Sequence, residues 1–311
     1  MDYIYLLLGF FILLYSGDLL VKGGVALSQH FKVSTLVVGV TVVSFGTSAP
    51  ELFVSLDAAL SGSPDISIGN VVGSNISNIA LVLGFTAILL PLPVRSNSIR
   101  FDWPVMMGAS LLFYVFVLDG YLRFWEGVIF IALLICFMVW TIRKSRKEFS
   151  SFSEEVRPAK ISIPKAVFLI VLASLGLYFG ANMLVESAKS IALDFGVSER
   201  VIGLTLVAFG TSVPELATSA VAALKKEMDI SVGNIIGSNI FNLLGVLGVT
   251  STVHSIHVGD RMISFDILWM LAISFLLFLL ILPLRKAKLH RWKGILLLMV
   301  YLSYVYLVFF R

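Results

Sequence analysis

Residues 39–52 read GVTVVSFGTSAPEL, and residues 203–216 read GLTLVAFGTSVPEL. Residues 65–78, DISIGNVVGSNISN, return at 229–242 as DISVGNIIGSNIFN. Both pairs belong to one duplication. Residues 39–84 align with 203–248 without a gap, and roughly 27 of the 46 positions are identical, which marks an internal repeat. What surrounds the repeat decides the fold. Apolar segments run at about 3–29, 34–60, 65–92, 103–119, 124–142, 164–190, 198–224, 229–254, 264–284 and 292–310, and a membrane-crossing helix takes about 20 residues. Each half therefore holds five spans. Five is odd, so the second half enters the membrane with the opposite polarity to the first.

Composition leaves little else for the chain to be. Of 311 residues, 58% are hydrophobic and 14% charged, against about 45–50% and about 25% in soluble domains. The expectation is an all-α integral membrane protein with ten transmembrane helices, built as two inverted-topology five-helix repeats. The divisions are 1–142 for the first repeat, 143–163 for a linker and 164–311 for the second repeat. No length remains for an extramembrane catalytic domain, so an enzyme is not expected, and nothing in the sequence is a nucleotide loop or asks for nucleic acid. The N-terminal apolar run has no basic flank and no small-residue cleavage site, so it reads as the first span. The single Cys136 excludes an intrachain disulfide and a cysteine-based metal site.

Orientation follows from the basic residues. Most of the 23 Lys and Arg fall in loops after odd-numbered spans, among them Arg95, Arg100, Arg143 to Lys160, Lys225, Lys226 and the 285–293 cluster. That side is expected to be cytoplasmic, with both termini on the other face of the cell membrane, plasma or inner. Inverted repeats of this kind are the architecture of secondary transporters, with substrate bound near the midplane. Nothing in the sequence demands more than a monomer in the lipid bilayer.

The motifs fall inside the spans. Pro50 has no N–H and its ring crowds the carbonyl of Gly46, so span 2 is expected to break there. Pro214 should do the same in span 7, and the expectation extends to broken helices 2, 3, 7 and 8 around a midplane ion site. Freed carbonyls are hard oxygen ligands. Glu51 and Glu215 matter most, because a carboxylate at bilayer depth costs at least about 2.5–3.5 kcal/mol and needs a partner or a task. The alternatives to cation binding are a protonated glutamate in a helix contact and an ion pair with Lys22. Thr47, Ser48 and Glu51 share one helical face. Asn70, Ser74 and Asn78 recur every four residues as a polar stripe, repeated by Asn234, Ser238 and Asn242. Gly69 with Gly73, and Gly233 with Gly237, form G-x-x-x-G pairs that admit a close neighbour. Asp65 and Asp229 read as helix N-caps. The constellation holds oxygen donors and neither Cys nor His, which selects hard cations such as Ca²⁺, Na⁺, Mg²⁺ or Mn²⁺.

These motifs resemble the two α-repeats of the cation/Ca²⁺ exchanger superfamily, and the prokaryotic sodium/calcium exchangers most of all. The resemblance covers essentially the whole chain. It implies an antiporter that exchanges Na⁺ for Ca²⁺ by alternating access, extruding Ca²⁺, with no cofactor and no ATP. It implies a cluster of cation sites in which Glu51 and Glu215 bind Ca²⁺ and Na⁺ alternately, joined by the carbonyl groups of Thr47 and Thr211. Ser48, Ser74, Ser212 and Ser238 would complete flanking Na⁺ sites, and Asn78 and Asn242 would line the centre. It also implies sliding of helices 1 and 6 across a rigid core. Two positions refine the resemblance. Many relatives, the potassium-dependent ones among them, carry an acid where this chain has Asn242; here both Asn78 and Asn242 are neutral, which argues against K⁺ dependence. Proton-coupled relatives carry a glutamate where this chain has Gly73 and Gly237, which leaves H⁺/Ca²⁺ or other divalent-cation antiport as the alternative. A channel would need no counter-ion, and the inverted repeat argues against it.

Overall fold

A computed structural model describes residues 1–94, 98–151, 161–196, 210–282 and 287–310. The described residues are almost entirely helical. The main helices are α1 (Asp2–Phe31), α2 (Thr35–Leu60), α3 (Pro64–Leu89), α4 (Arg100–Asp119), α5 (Phe124–Ser151), α6 (Ile163–Asp194), α7 (Val213–Leu224), α8 (Met228–Val253), α9 (Met262–Ile281) and α10 (Arg291–Phe310). All but α7 contain a stretch long and apolar enough to cross a membrane. The first part of the seventh predicted span, residues 198–209, lies outside the described residues, as do 152–160 of the predicted linker. The part of that linker that is described differs from the expectation: α5 continues to Ser151. Arg143, Lys144, Arg146 and Lys147 therefore lie within the helix, before its last turn.

Burial sorts the helices into a centre and a rim. The most apolar window of α8 is 94% buried and that of α3 is 78%, against 22% for α5 and 17% for α10. The repeated helices are thus the core, and the flanking ones present Leu, Phe and Tyr side chains outward, as a lipid-facing surface requires. α1 and α6 pack along each other for most of their lengths. Small residues make this possible: a methyl group at Gly9 would lie 2.8 Å from the backbone nitrogen of Leu184.

The G-x-x-x-G expectation is met in α8. A Cβ at Gly233 would come within 2.7 Å of the Leu36 carbonyl oxygen, and one at Gly237 within 2.5 Å of the Val40 carbonyl oxygen. Two backbones from opposite repeats therefore touch here. In α3, Gly73 has nothing within 4 Å among the described residues; the positions equivalent to Leu36–Val40 are 200–204, which are not described.

The expected helix breaks take another form. α2 runs unbroken through Pro50, and its irregularity is a π-helical turn at Gly39–Val43. Likewise α3 and α8 are continuous, with π-turns at Asn78–Leu83 and Asn242–Val246. A π-turn takes up one extra residue and shifts the hydrogen-bond register without exposing a helix end, and such turns gather at functional sites. Side-chain hydroxyls serve the displaced carbonyls: Thr41 Oγ1 donates to Val37 O and Ser44 Oγ to Val40 O, both at 2.7 Å. Only in the second repeat is there a break beside the proline among the described residues. Residues 211 and 212 form a turn and α7 starts at Val213, with Pro214 in its first turn. The aspartate caps are also corrected. The N-cap residues of α3 and α8 are Ser63 and Glu227, so Asp65 and Asp229 sit in the first turn, where the helix dipole favours them.

Four two-residue strands close the loops. β1 (Leu92–Pro93) pairs antiparallel with β4 (Lys288–Leu289), and β2 (Tyr121–Leu122) with β3 (Ile256–His257). Each pair joins a loop of the first repeat to a loop of the second.

Candidate cation site

The residues of the four motifs meet at the centre of the core. Thr47, Ser48, Glu51, Asn78, Glu215, Ser238 and Asn242 are fully buried, and Ser74 and Ser212 nearly so. Thr211 is half-buried in the turn before α7. Helix packing crosses the repeats. The π-turn of Asn242 lies against the 44–60 part of α2, and the π-turn of Asn78 lies against α7.

Hydrogen bonds tie the two copies together. Ser48 Oγ donates to Glu215 Oε1 at 2.9 Å, and Ser238 Oγ approaches the same oxygen at 3.5 Å. Thr47 Oγ1 donates to Asn234 Oδ1 at 3.1 Å and lies 3.3 Å from Ser238 Oγ. Asn242 Nδ2 donates to Ser74 Oγ at 3.0 Å and to Asn75 Oδ1 at 3.3 Å. Asn70 Nδ2 donates to the Glu51 carbonyl at 3.1 Å and to Ser55 Oγ at 2.9 Å, and Asn234 Nδ2 reaches Ser219 Oγ at 3.0 Å. Asn70 and Asn234 therefore brace helix pairs around the site.

What is left over is the informative part. Six buried oxygen atoms of the predicted set have no hydrogen-bond partner among the described residues: Glu51 Oε1 and Oε2, Glu215 Oε2, Asn78 Oδ1, Asn242 Oδ1 and Ser212 Oγ. Buried polar atoms are nearly always paired, so these unpaired oxygens form a donor set able to coordinate a cation. Lys22 does not supply one. Its ammonium is 2.6 Å from Asp18 of its own helix, and Lys225 pairs with the same carboxylate. Among the described residues no three His, Cys, Asp or Glu side chains gather as a metal cluster. The donors here are two carboxylates, hydroxyls and amide oxygens, the oxygen set of a hard cation.

The symmetry of the sequence is not kept in the site. Ser48 clasps Glu215, whereas the equivalent Ser212 has no partner among the described residues and leaves Glu51 unclasped. Asn242 is bonded, whereas Asn78 is not. Sequence reasoning passed over Asn75 and Asn239. Asn75 accepts from Asn242, and the buried amide of Asn239 has no partner among the described residues. The available signal was their identity in the Gly-Ser-Asn of both copies; they lie one residue off the four-residue stripe.

Comparison with known proteins gives the same reading. The family described as sodium/calcium exchanger protein matches residues 1–143 and 165–310. The chain belongs to this family. Its relatives include the putative antiporter CaxA of Alkalimonas amylolytica, 37% identical across 98% of both chains. The sodium/calcium exchanger MaX1 of Methanosarcina acetivorans is 30% identical across 99% of both. Among solved structures, the sodium-calcium exchanger NCX_Mj soaked with Na⁺ and Ca²⁺ superposes with a TM-score of 0.81 at 35% identity, covering 97% of this chain and 96% of that one. The exchanger described here is thus a multi-pass membrane transporter of the cation/Ca²⁺ antiporter type, and not an enzyme.

Proposed function

We infer that the chain exchanges Na⁺ for Ca²⁺ across the cell membrane by alternating access, using inward Na⁺ flow to extrude Ca²⁺. The observation that carries this reading is the set of six unpartnered oxygens, three of them on Glu51 and Glu215, in a fully buried site with no side-chain cation beside them among the described residues. Two carboxylates balance the charge of one Ca²⁺. The same oxygens, with Thr47, Ser48, Ser74, Ser212 and Ser238, divide into smaller groups suited to Na⁺. Because the ions share ligands, one must leave before the other fits, and that competition is the exchange. Neutral Asn78 and Asn242 give no reason for K⁺. The relatives' names support Na⁺ as the counter-ion. One chain holds every proposed ligand, so a monomer suffices.

The reading places ten helices in the membrane as two inverted five-helix halves, 1–142 and 164–311, joined by a cytoplasmic linker, with both termini outside. Strand pairing supports this count by parity. Between β1 and β4 the chain passes α4, α5, α6, α7, α8 and α9. If the other helices cross, the two strands lie on one side of the membrane only when the helix containing α7 crosses as well. The pairing of β2 with β3, across α5 to α8, makes the same demand.

The test is Ca²⁺ uptake into Na⁺-loaded proteoliposomes diluted into Na⁺-free buffer at equal pH. Uptake that vanishes when Na⁺ is equalised is the expected result. Uptake that ignores the Na⁺ gradient but follows an imposed pH gradient would instead assign proton coupling, and flux without any counter-ion would assign a channel.

A further inference from the structure

Asn242 can offer an oxygen to a cation only if its amide nitrogen is held elsewhere. A side-chain amide carries donor hydrogens on one side and an acceptor oxygen on the other, and a half-turn about its last bond exchanges them. With the nitrogen toward the site, Asn242 would repel a cation. Its Nδ2 donates to Ser74 Oγ at 3.0 Å and to Asn75 Oδ1 at 3.3 Å. Its Oδ1 is then left without a partner among the described residues. Ser74 gives its own hydrogen to the Val71 carbonyl at 3.1 Å, so it meets Asn242 with lone pairs. A hydroxyl can rotate, however, and serve either end of an amide. Ser74 alone does not fix Asn242; the choice falls to Asn75.

Asn75 is an amide with the same ambiguity, and Met270 of α9 removes it. Asn75 Nδ2 donates to Met270 Sδ at 3.7 Å. A thioether has lone pairs and no hydrogen to give, so it accepts the nitrogen end of the amide and offers nothing to the oxygen end. Asn75 is 2% exposed and Met270 1%, so the amide has no bulk solvent to turn toward. Donation therefore runs one way, from Asn242 on α8 to Asn75 on α3 to Met270 on α9. The sequence carries the set twice. Residues 99–110, IRFDWPVMMGAS, correspond to 263–274, ISFDILWMLAIS, at the same offset as the main repeat. Met106, Asn239 and Asn78 thus stand as counterparts of Met270, Asn75 and Asn242. All three are buried, yet the amides of Asn78 and Asn239 make no hydrogen bond among the described residues. One copy of the relay is engaged and the other is not.

We propose that Asn75 is a positioning residue for the cation site: held by Met270, it fixes the amide of Asn242 so that oxygen, not nitrogen, faces the ion. The inference rests on the cation site proposed above, with Asn242 among its ligands, and not on which ion drives the exchange. Asn75 acts through Asn242 and not on the ion. Its loss should change how tightly the site holds Ca²⁺, beyond any change in how firmly α3 and α8 are joined.

The test is equilibrium binding of radioactive Ca²⁺ to the purified chain, in two backgrounds. One keeps Asn242. The other carries Asn242→Asp, whose carboxylate shows the ion an oxygen in either orientation. In the first, Asn75→Leu should raise the Kd for Ca²⁺ by about tenfold or more, the loss typical of removing a group that orients a metal ligand. In the second, the same substitution should leave the Kd nearly unchanged, because no amide remains to be oriented. Met270→Leu conserves volume and removes only the acceptor. It should show the same dependence on background with a smaller rise, and it decides the matter if Asn75→Leu does not fold. A merely structural role for Asn75 would lower Tm in both backgrounds and leave the Kd of the folded protein alone. An unchanged Kd, or a rise by the same factor in both backgrounds, overturns the proposal. Loss of Ca²⁺ binding in Asn242→Asp alone overturns it as well, by removing Asn242 from the site. Absence of Ca²⁺ binding by the unaltered chain would instead overturn the cation-site reading, and this proposal with it.

Discussion

Glu51 presents two carboxylate oxygens to the buried site with no donor to either among the described residues, whereas Glu215 shares one of its oxygens with Ser48 and Ser238. Gln at either position removes the charge a divalent ion needs. Glu51→Gln and Glu215→Gln should each lower Ca²⁺ uptake by more than about 100-fold, above the cost typical of losing only a supporting residue, while the purified protein stays folded. Normal uptake in either variant would remove that glutamate from the site. The asparagines separate ion binding from stability. The Asn78 side chain makes no hydrogen bond among the described residues, so Asn78→Ala should weaken transport with little change in Tm. Asn242 links α8 to α3 through two bonds, so Asn242→Ala should weaken transport and also cost about 1 kcal/mol of stability. Thermal unfolding followed beside uptake distinguishes the two.

At the scale of elements, the two copies of the repeat act as controls for each other. The turn after α2 closes with Ser63 N–H donating to Ala58 O at 2.8 Å, and the turn after α7 with Glu227 N–H donating to Ala222 O at 2.9 Å. Both turns pass through left-handed backbone, at Gly62 with φ 75° and at Lys226 with φ 66°. Left-handed backbone costs a residue with a Cβ roughly 1–2 kcal/mol. Lys226→Gly should therefore raise stability by about 0.5–1 kcal/mol after the entropy that glycine adds to the unfolded chain, read as a higher Tm with transport unchanged. Gly237 is the opposite case. A branched side chain there would press on the Val40 carbonyl at the crossing of α2 and α8, where neither backbone can give way. Gly237→Val should cost at least about 1–3 kcal/mol and lower the yield of folded protein. Yield and Tm equal to those of the unaltered chain would mean that the two helices do not meet there.

The whole molecule is a buried core of repeated helices with α1 and α6 packed together at its side. The Asp18–Lys225 ion pair joins α1 to the end of α7. The positions equivalent to Asp18 and Lys225 in the other copy are Asn182 and Ser61, which carry no charge and cannot form such an ion pair. The two sides of the molecule therefore differ although the repeats match. The parity argument is tested at this scale. Pro93 and Lys288 are cross-strand partners, and Cα atoms in such pairs lie about 4.5–5.5 Å apart, within reach of a disulfide. With Cys136 replaced by Ala, Pro93→Cys with Lys288→Cys should cross-link under mild oxidation. Singly, each cysteine should react with an impermeant thiol reagent from the same face. Labelling from opposite faces would mean an odd number of crossings between them, and the ten-span count would fail.

The duplication, the apolar segments and the buried glutamates were legible in the sequence because each is a local pattern. A run of about 20 apolar residues must lie in lipid, and a charge inside such a run must have a use. The motifs and the resemblance they carry named Thr47, Ser48, Glu51, Ser74, Asn78, Thr211, Ser212, Glu215, Ser238 and Asn242 as candidates, and all but the half-buried Thr211 are buried in the core. The sequence could not state how the backbone yields. Pro50 predicted a break, but hydroxyls and close neighbours let α2 continue and move the irregularity to Gly39–Val43. Nor could it find the inequality of the two copies. Nearly identical motifs leave Glu51 unclasped and Glu215 clasped, because hydrogen bonds depend on which side chains meet across helices. Sequence determined which groups enter the membrane; tertiary structure decided which of them are satisfied there, because only contact geometry can pair a buried donor with its acceptor.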